Sequence, residues 1–347
     1  MIEMLCRIKW IAIALAMAFP GSSSADCLPR ETAPGDFLNT PKVWGTTDSG
    51  PILDGFLELR NETGLHKIEH GVDLSHHNDQ IVYDELKRCG ASFAIVKMDK
   101  RFDSHKTELS KHGMRVIPYH YLSVVGSGGL DYKRHPSAFT LAATSEATRN
   151  GGLLGVAEQM GRSKAARFIT LYHAALTEDE RVSELSGLQG KIIVLDVEEH
   201  FTVPSSQKQR ISFGRFYAAM LASWVNTVKN AHPDAKIVFY TFPDIYTSYL
   251  QFAHPQDHAI IHGMPVWLAR TRGDASDFDL KTSKQLQRIC LSASGGNKCI
   301  LHQYSHRAIF GVRKVPRRNP PLHIDVNRLF AVKEISDTLG NQYVRSD

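Results

Sequence analysis

Residues 191–199, Lys-Ile-Ile-Val-Leu-Asp-Val-Glu-Glu, constrain the fold of this chain more than any other stretch. A continuous run of branched apolar residues of this length predicts a strand that is buried on both faces, as in the centre of a parallel sheet. Side chains two positions apart in a strand point the same way. Asp196 and Glu198 are therefore predicted to project side by side from the end of a buried strand.

The chemistry of such an acid pair differs from that of surface acids. Two neighbouring carboxylates repel each other, and partial desolvation raises the pKa of at least one of them. One acid then stays protonated while the other is charged, which is the combination that glycoside hydrolysis requires. The alternative is a solvated strand end with ordinary acids, because a D-x-E triplet is common and is only a weak functional signal by itself.

Strand patterns alternate with helical patterns along most of the chain, which predicts a parallel sheet with crossover helices. The predicted strands are 68–74, 92–97, 115–122, 191–197, 236–241, 265–270, 299–304 and 323–327. The predicted fold class is α/β, with a TIM-like (β/α) barrel whose strand ends share one functional face. Polar or aromatic residues occur at these strand ends: Asp73, Lys97, Tyr119, Tyr121, Asp196, Glu198, Tyr240, Trp267, Arg270, Gln303 and Asp325.

The N-terminus has the pattern of a secretory signal peptide. Arg7 and Lys9 precede the apolar residues 10–19, and small residues at 23–25 precede Asp26. The apolar stretch is too short for a comfortable membrane span, although an uncleaved anchor is the alternative. We expect a secreted or periplasmic protein with no stable membrane insertion after cleavage.

The remaining chain divides by composition. Residues 1–25 are the predicted signal peptide, 26–66 an extended leader, 67–335 the barrel and 336–347 a C-terminal tail. An insertion at about 124–152, rich in Gly, Ser and Thr, interrupts the barrel. Such an insertion can be a lid, part of a binding wall or a decoration without a role.

The cysteine pattern predicts disulfides. Cleavage leaves Cys27, Cys89, Cys290 and Cys299, an even number in an exported chain, with three pairings possible. Cys290 and Cys299 flank a flexible loop that a local bridge would close, which leaves Cys27 with Cys89 by default. Metal binding by these cysteines is not expected, because there is no C-x-x-C.

The net charge of +5 favours approach to an anionic polymer such as a bacterial wall. No basic stripe with interleaved aromatics and no nucleic-acid module is present, so we expect no nucleic-acid partner. A monomer is expected.

Several short motifs occur in order along the chain. They are Gly71-Val-Asp-Leu-Ser75, Phe93-Ala-Ile-Val-Lys97, Pro118-Tyr-His-Tyr121, Val194-Leu-Asp-Val-Glu198, Val238-Phe-Tyr-Thr241, Pro265-Val-Trp-Leu-Ala269, His302-Gln-Tyr304 and Ile324-Asp-Val326. This ordered set resembles the motifs of glycoside hydrolase family 25, the Chalaropsis-type lysozymes. The resemblance implies an irregular barrel and cleavage of the β-1,4 bond between N-acetylmuramic acid and N-acetylglucosamine in peptidoglycan. It also implies retention of anomeric configuration, and neither a cofactor nor a metal is expected.

The resemblance assigns roles to individual residues. Glu198 matches the general acid, and Asp196 matches the carboxylate that stabilises the oxocarbenium-like centre or orients the substrate acetamido group. Asp73 and Asp325 match the flanking acids. The expected glycan contacts are Tyr119, Tyr121, Tyr240, Trp267, Arg270 and Gln303.

Three features depart from the family pattern: residues 76–79 (His-His-Asn-Asp), residues 97–101 (Lys-Met-Asp-Lys-Arg) and the long insertion. All three lie near the expected groove, so they leave the glycan preference more open than the fold. Two other functions compete. One is a metal-dependent hydrolase that uses Asp73, His76, His77 and His120, and the other is a catalytically silent glycan-binding barrel.

Overall fold

The computed structural model describes most of the predicted barrel. The described residues are 69–88, 91–126, 131–134, 152–185, 188–201, 206–269, 284–290, 298–308 and 324–329. The predicted signal peptide, leader and C-terminal tail, and most of the insertion, lie outside these ranges. Within them, no helix combines the length and the apolar character that a membrane crossing needs.

Nine strands form one sheet. They are β1 (His70–Leu74), β2 (Ala91–Lys97), β3 (Arg115–Tyr121), β4 (Val182–Leu185), β5 (Leu188–Asp196), β6 (Lys236–Thr241), β7 (Val266–Ala269), β8 (Cys299–Ala308) and β9 (Ile324–Leu329). The sheet order is β3-β2-β1-β9-β8-β7-β6-β5-β4, and an additional pairing of β3 with β5 closes the sheet into a barrel. Strand β4 stays outside the closed ring as an antiparallel hairpin partner of β5. The predicted α/β barrel is confirmed.

The last strand makes the barrel irregular. β9 runs antiparallel to both of its neighbours, β1 and β8, whereas the other pairs in the closed ring are parallel. A uniformly parallel sheet, which the alternating pattern predicted, is therefore wrong for this strand. The start of β9, rather than its end, lies at the rim formed by the carboxyl ends of the parallel strands.

Strand β5 is buried on both faces, as its apolar run predicted. Ile192 and Val194 belong to the cluster inside the barrel. Ile193 and Leu195 belong to the cluster between the barrel and its helices. This alternation follows from the period of two along a strand.

The helices cover the outside of the barrel. They are α1 (Tyr83–Arg88), α2 (Phe102–Lys111), α3 (Leu153–Ala175), α4 (Glu178–Arg181), α5 (Gln207–Ala231), α6 (Pro243–Ser248), α7 (Pro255–His262) and α8 (Lys284–Cys290), with 3-10 turns at Tyr132–Arg134 and Leu250–Phe252. Ser206 and Gln209 form a capping box at the start of α5. The apolar residues on one side of α5 are buried and form part of the core.

A disulfide joins Cys290 to Cys299, with an S–S distance of 1.98 Å. This is the local bridge that the spacing suggested. Cys27 and Cys89 lie outside the described residues, so their pairing stays a prediction.

Candidate active site

Asp196 and Lys97 lie at inward-facing positions on one rim of the barrel. Asp196 follows Ile192 and Val194 at intervals of two, and Lys97 likewise follows Phe93 and Ile95. Alternate residues of a strand point to the same face, so the rim acids and the apolar interior share one side of the sheet. Polar side chains at the rim therefore lie directly above an apolar barrel interior.

Strand register sets which of these side chains meet. Asp73 of β1 is opposite Asp325 of β9, and Asp196 of β5 is paired with Tyr121 on one side and Tyr240 on the other. Directly opposite residues of an antiparallel pair project to the same face. The antiparallel direction of β9 therefore brings Asp325, near the start of its strand, to the same rim as Asp73.

Asp73 is held by amide donors. Its Oδ2 accepts hydrogen bonds from Gln303 Nε2 at 3.1 Å and from Asn327 Nδ2 at 3.0 Å. The Asn327 Oδ1 in turn accepts from Trp267 Nε1 at 3.0 Å. These contacts fix the rotamer of Asp73, whose carboxyl oxygen accepts both hydrogen bonds.

The carboxyl groups of Asp73 and Asp325 form a hydrogen bond with each other. Burial raises the pKa of Asp325 well above its usual range, and the nearby Asp73 carboxyl raises it further. Burial also raises the pKa of Asp73, but hydrogen bonds from Asn327, Asp325 and Gln303 oppose that rise. The directions of these shifts favour a proton of the pair on Asp325 over one on Asp73.

Glu198 has the pKa expected of a proton donor near neutral pH. Burial raises the pKa of Glu198 to about 7, with further increases from Asp73 and Glu199, while Lys97 and a hydrogen bond with Tyr240 oppose the rise. The Tyr240 hydroxyl donates to Gln303 Oε1 at 2.9 Å. Since this hydroxyl has a single proton, it can donate to Gln303 or to the Glu198 carboxylate, but not to both at once.

Asp196 is the more deeply buried member of the acid pair. Burial raises its pKa well above the usual range, Glu198 adds to the rise, and Lys97 opposes it. Within the described part of the chain, its Oδ1 has no hydrogen-bond partner. A buried oxygen without a partner is costly, so this atom is suited to a donor supplied by a ligand.

Three of the aromatic residues expected to line a groove are largely enclosed. Tyr119, Tyr240 and Trp267 are 8%, 5% and 2% exposed and belong to the interior cluster. The rings of Tyr240 and Trp267 lie 4.4 Å apart between centroids. Tyr121 is half-buried at the rim, with Lys97 Nζ 4.5 Å from its ring centroid. Arg270 lies outside the described residues.

Three residues of this site were not singled out from the sequence: Asn327, Glu199 and Lys133. Asn327 is two positions after Asp325, so the strand period could have placed both on one face. Glu199 directly follows Glu198 and is 4% exposed. Lys133 Nζ lies 2.6 Å from Glu199 Oε2. No sequence signal points to Lys133, because it lies in the insertion, where no periodicity is present.

The candidate metal ligands are not gathered into one site. His120 is on the outer face of β3, where its ring packs 5.5 Å from that of Trp224, and burial lowers its pKa to about 3. His76 Nδ1 contacts Asp99 Oδ2 at 2.8 Å. Across the described ranges, no group of three or more His, Cys, Asp or Glu side chains has the arrangement of a metal site.

Comparisons with known proteins give structural matches alone. No protein family and no curated protein matches the sequence. The fold is similar to a family 25 glycosyl hydrolase from Bacillus anthracis, with 17% identity, a TM-score of 0.39 and coverage of 78% of this chain and 93% of that one. It is also similar to the bacterial lysozyme from Streptomyces coelicolor, with 16% identity, a TM-score of 0.40 and coverage of 79% and 98%.

A third match is a family 25 lysozyme from Aspergillus fumigatus, with 16% identity, a TM-score of 0.42 and coverage of 79% of this chain and 99% of that one. The Bacillus and Aspergillus structures come from the family that the sequence motifs resemble. Identities and TM-scores this low do not transfer an activity, so the function of this chain has to be inferred from its own side chains.

Proposed function

We propose that this chain is an exported muramidase that hydrolyses the β-1,4 bond between N-acetylmuramic acid and N-acetylglucosamine in peptidoglycan. The observation that carries the proposal is the state of Glu198, a half-buried carboxyl whose pKa burial raises to about 7, beside a second and more deeply buried acid. A carboxyl of this kind is protonated near neutral pH and can give its proton to a leaving oxygen. The choice of peptidoglycan rests on the family motifs and the predicted export.

In the first step, Glu198 donates its proton to the glycosidic oxygen as the bond to the anomeric carbon of N-acetylmuramic acid breaks. The N-acetylglucosamine part leaves with a new hydroxyl group, and positive charge develops at the anomeric carbon. The Asp73 carboxyl group, held by Gln303 and Asn327, offsets that charge when it is ionised.

Asp196 orients the reacting sugar. Its Oδ1 accepts a hydrogen bond from the acetamido N–H of N-acetylmuramic acid, which satisfies the buried oxygen that otherwise has no partner within the described residues. The acetamido oxygen then attacks the anomeric carbon from the face opposite the leaving group. Water opens this intermediate and gives its proton to the Glu198 carboxylate, which restores the acid and retains the configuration.

The test compares the unaltered mature protein with Glu198→Gln on purified peptidoglycan, measuring new reducing ends. Glu108→Gln is the matched control, because Glu108 is a surface residue of α2 that pairs with Lys111. Loss of activity of about a thousandfold or more is expected for Glu198→Gln, and none for the control.

Equal release by the unaltered protein and Glu198→Gln would remove Glu198 from its role. No release by the unaltered protein, with peptidoglycan still bound in a pull-down, would favour a silent glycan-binding barrel. Loss of activity on chelation would favour a metal-dependent hydrolase.

A further inference from the structure

We propose that Lys133 is a positioning residue of the active site, which neutralises Glu199 and so controls the charge that faces Glu198. The inference rests on the proposed function, because it assigns Lys133 a role in the same reaction. It also gives a role to the insertion, from which Lys133 reaches the rim of the barrel. Three observations carry it: the buried ion pair, the anchoring of Lys133, and the position of Glu199 next to the general acid.

The ion pair is enclosed. Lys133 Nζ lies 2.6 Å from Glu199 Oε2, and the two side chains are 22% and 4% exposed. The Tyr121 hydroxyl also donates to the Glu199 carboxylate, and the Glu199 N–H donates to the Tyr217 hydroxyl at 3.3 Å. A buried carboxylate depends on such partners, and removing the cation from a buried pair leaves an uncompensated charge.

Lys133 is held in place by its neighbours in the chain. Its N–H donates to Asp131 Oδ1 at 3.1 Å, and Asp131 forms an antiparallel bridge with Val125 just after the end of β3. The ring of Tyr132 packs on Phe216 of α5, with 4.9 Å between centroids. The ammonium group is therefore delivered by an anchored turn, which reduces the entropy lost when the pair forms.

Glu199 is adjacent to Glu198 and acts on it electrostatically. The negative charge of Glu199 raises the pKa of both Glu198 and Asp196. Lys133 forms an ion pair with this same carboxylate. The surroundings hold other titratable groups on every side. Those facing Glu198 are Asp73, Lys97, Asp196, Tyr119, Tyr121, Tyr240 and Asp325, and those facing Glu199 are Lys133, Lys164, Tyr121 and Tyr217.

Opposite substitutions are expected to move the general acid in opposite directions. Glu199→Gln removes a like charge and leaves the Lys133 charge unpaired, so Glu198 loses its proton at lower pH. Lys133→Met leaves the negative charge of Glu199 without its cation, so Glu198 loses its proton at higher pH. Each displacement should be on the order of one pH unit. In the double variant, Glu198 should titrate at nearly the same pH as in the unaltered protein. The same is expected for Lys133→Arg, because it keeps a positive charge next to Glu199.

The decisive measurement is the titration of Glu198 in the full mature chain, by carbon NMR of protein labelled at the Glu side-chain carboxyl groups. The carboxyl resonance that is missing from the spectrum of Glu198→Gln is assigned to Glu198. Lys106→Met is the matched control, because it breaks a Lys–Glu pair of 2.9 Å with Glu180, outside the site. Opposite displacements in Glu199→Gln and Lys133→Met, with none in the control, would support the proposal. Displacements in the same direction, or none, would overturn it.

A second readout separates this inference from the proposed function. The pH dependence of kcat/KM on peptidoglycan should move with the titration in each variant. If the unaltered protein is inactive but the opposite displacements occur, the muramidase proposal fails and the charge coupling stands. If the protein is active but neither the titration of Glu198 nor the alkaline side of the kcat/KM profile is displaced in either variant, the role of Lys133 fails and the muramidase proposal stands.

Discussion

Replacing Glu198 with Gln is expected to stabilise the folded protein at alkaline pH while leaving its stability nearly unchanged at acidic pH. The folded environment raises the pKa of Glu198 from 4.5 to about 7, mainly through burial. Between these two values the folded state holds a proton that the unfolded chain has lost, so stability falls as pH rises through this window. Gln carries no charge at any pH and does not contribute this loss.

The magnitude follows from the same two values. Ionising Glu198 costs the folded state about 3 kcal/mol more than the unfolded chain once the pH is well above 7. At about pH 8.5, Glu198→Gln should therefore increase the free energy of unfolding by about 2 to 3 kcal/mol, the lower value allowing for altered hydrogen bonding to Tyr240. At about pH 4.5 the two proteins should differ by less than about 1 kcal/mol.

The assay is urea unfolding at the two pH values, followed by tryptophan fluorescence, since Trp224 and Trp267 are buried and report on the core and the barrel interior. Glu108→Gln serves as the surface control and should change stability by less than about 0.5 kcal/mol at both pH values. The stability difference between Glu198→Gln and the unaltered protein could instead be independent of pH. That result would show that Glu198 does not titrate in the folded state near pH 7.

Three further predictions follow from the structure. The kcat/KM on peptidoglycan should fall above about pH 7, by about tenfold per pH unit once Glu198 is ionised, and a flat profile up to about pH 9 would contradict the assignment. Gly161→Ala should lower the free energy of unfolding by about 3 kcal/mol, because the added methyl group would lie 2.2 Å from Met220 O where α3 meets α5; a more stable variant in urea would show that the helices move apart freely. Reduction of the Cys290–Cys299 disulfide should lower the free energy of unfolding by about 2 to 3 kcal/mol, measured with and without reductant, and an unchanged value would mean that the loop is already fixed by other contacts.

The sequence predicted the elements whose signal is local. The apolar run before Asp196 identifies β5, because both faces of that strand are buried. The position of Asp196 on the same face as Ile192 and Val194 follows from the strand period alone. Other bounds differ: β8 continues to Ala308, beyond the predicted end at residue 304, because pairing with β9 extends it.

Features that depend on long-range pairing could not be predicted in the same way. A short strand pattern does not encode direction, so the antiparallel course of β9, which places Asp325 opposite Asp73, came from the structure alone. Trp267 was expected to contact the glycan, but its indole N–H donates a hydrogen bond to Asn327 inside the barrel. Lys133 had no sequence signal, because its contact with Glu199 joins residues that are 66 positions apart in the chain.

The most direct test of the central claim identifies the sugar at the new reducing end. Peptidoglycan digested with the mature protein, then reduced with borohydride and analysed by mass spectrometry, should yield fragments ending in reduced N-acetylmuramic acid. The same digestion with Glu198→Gln should yield none above background. Fragments ending in reduced N-acetylglucosamine, or equal yields of muramic ends from both proteins, would contradict the assignment of Glu198 as the general acid of a muramidase.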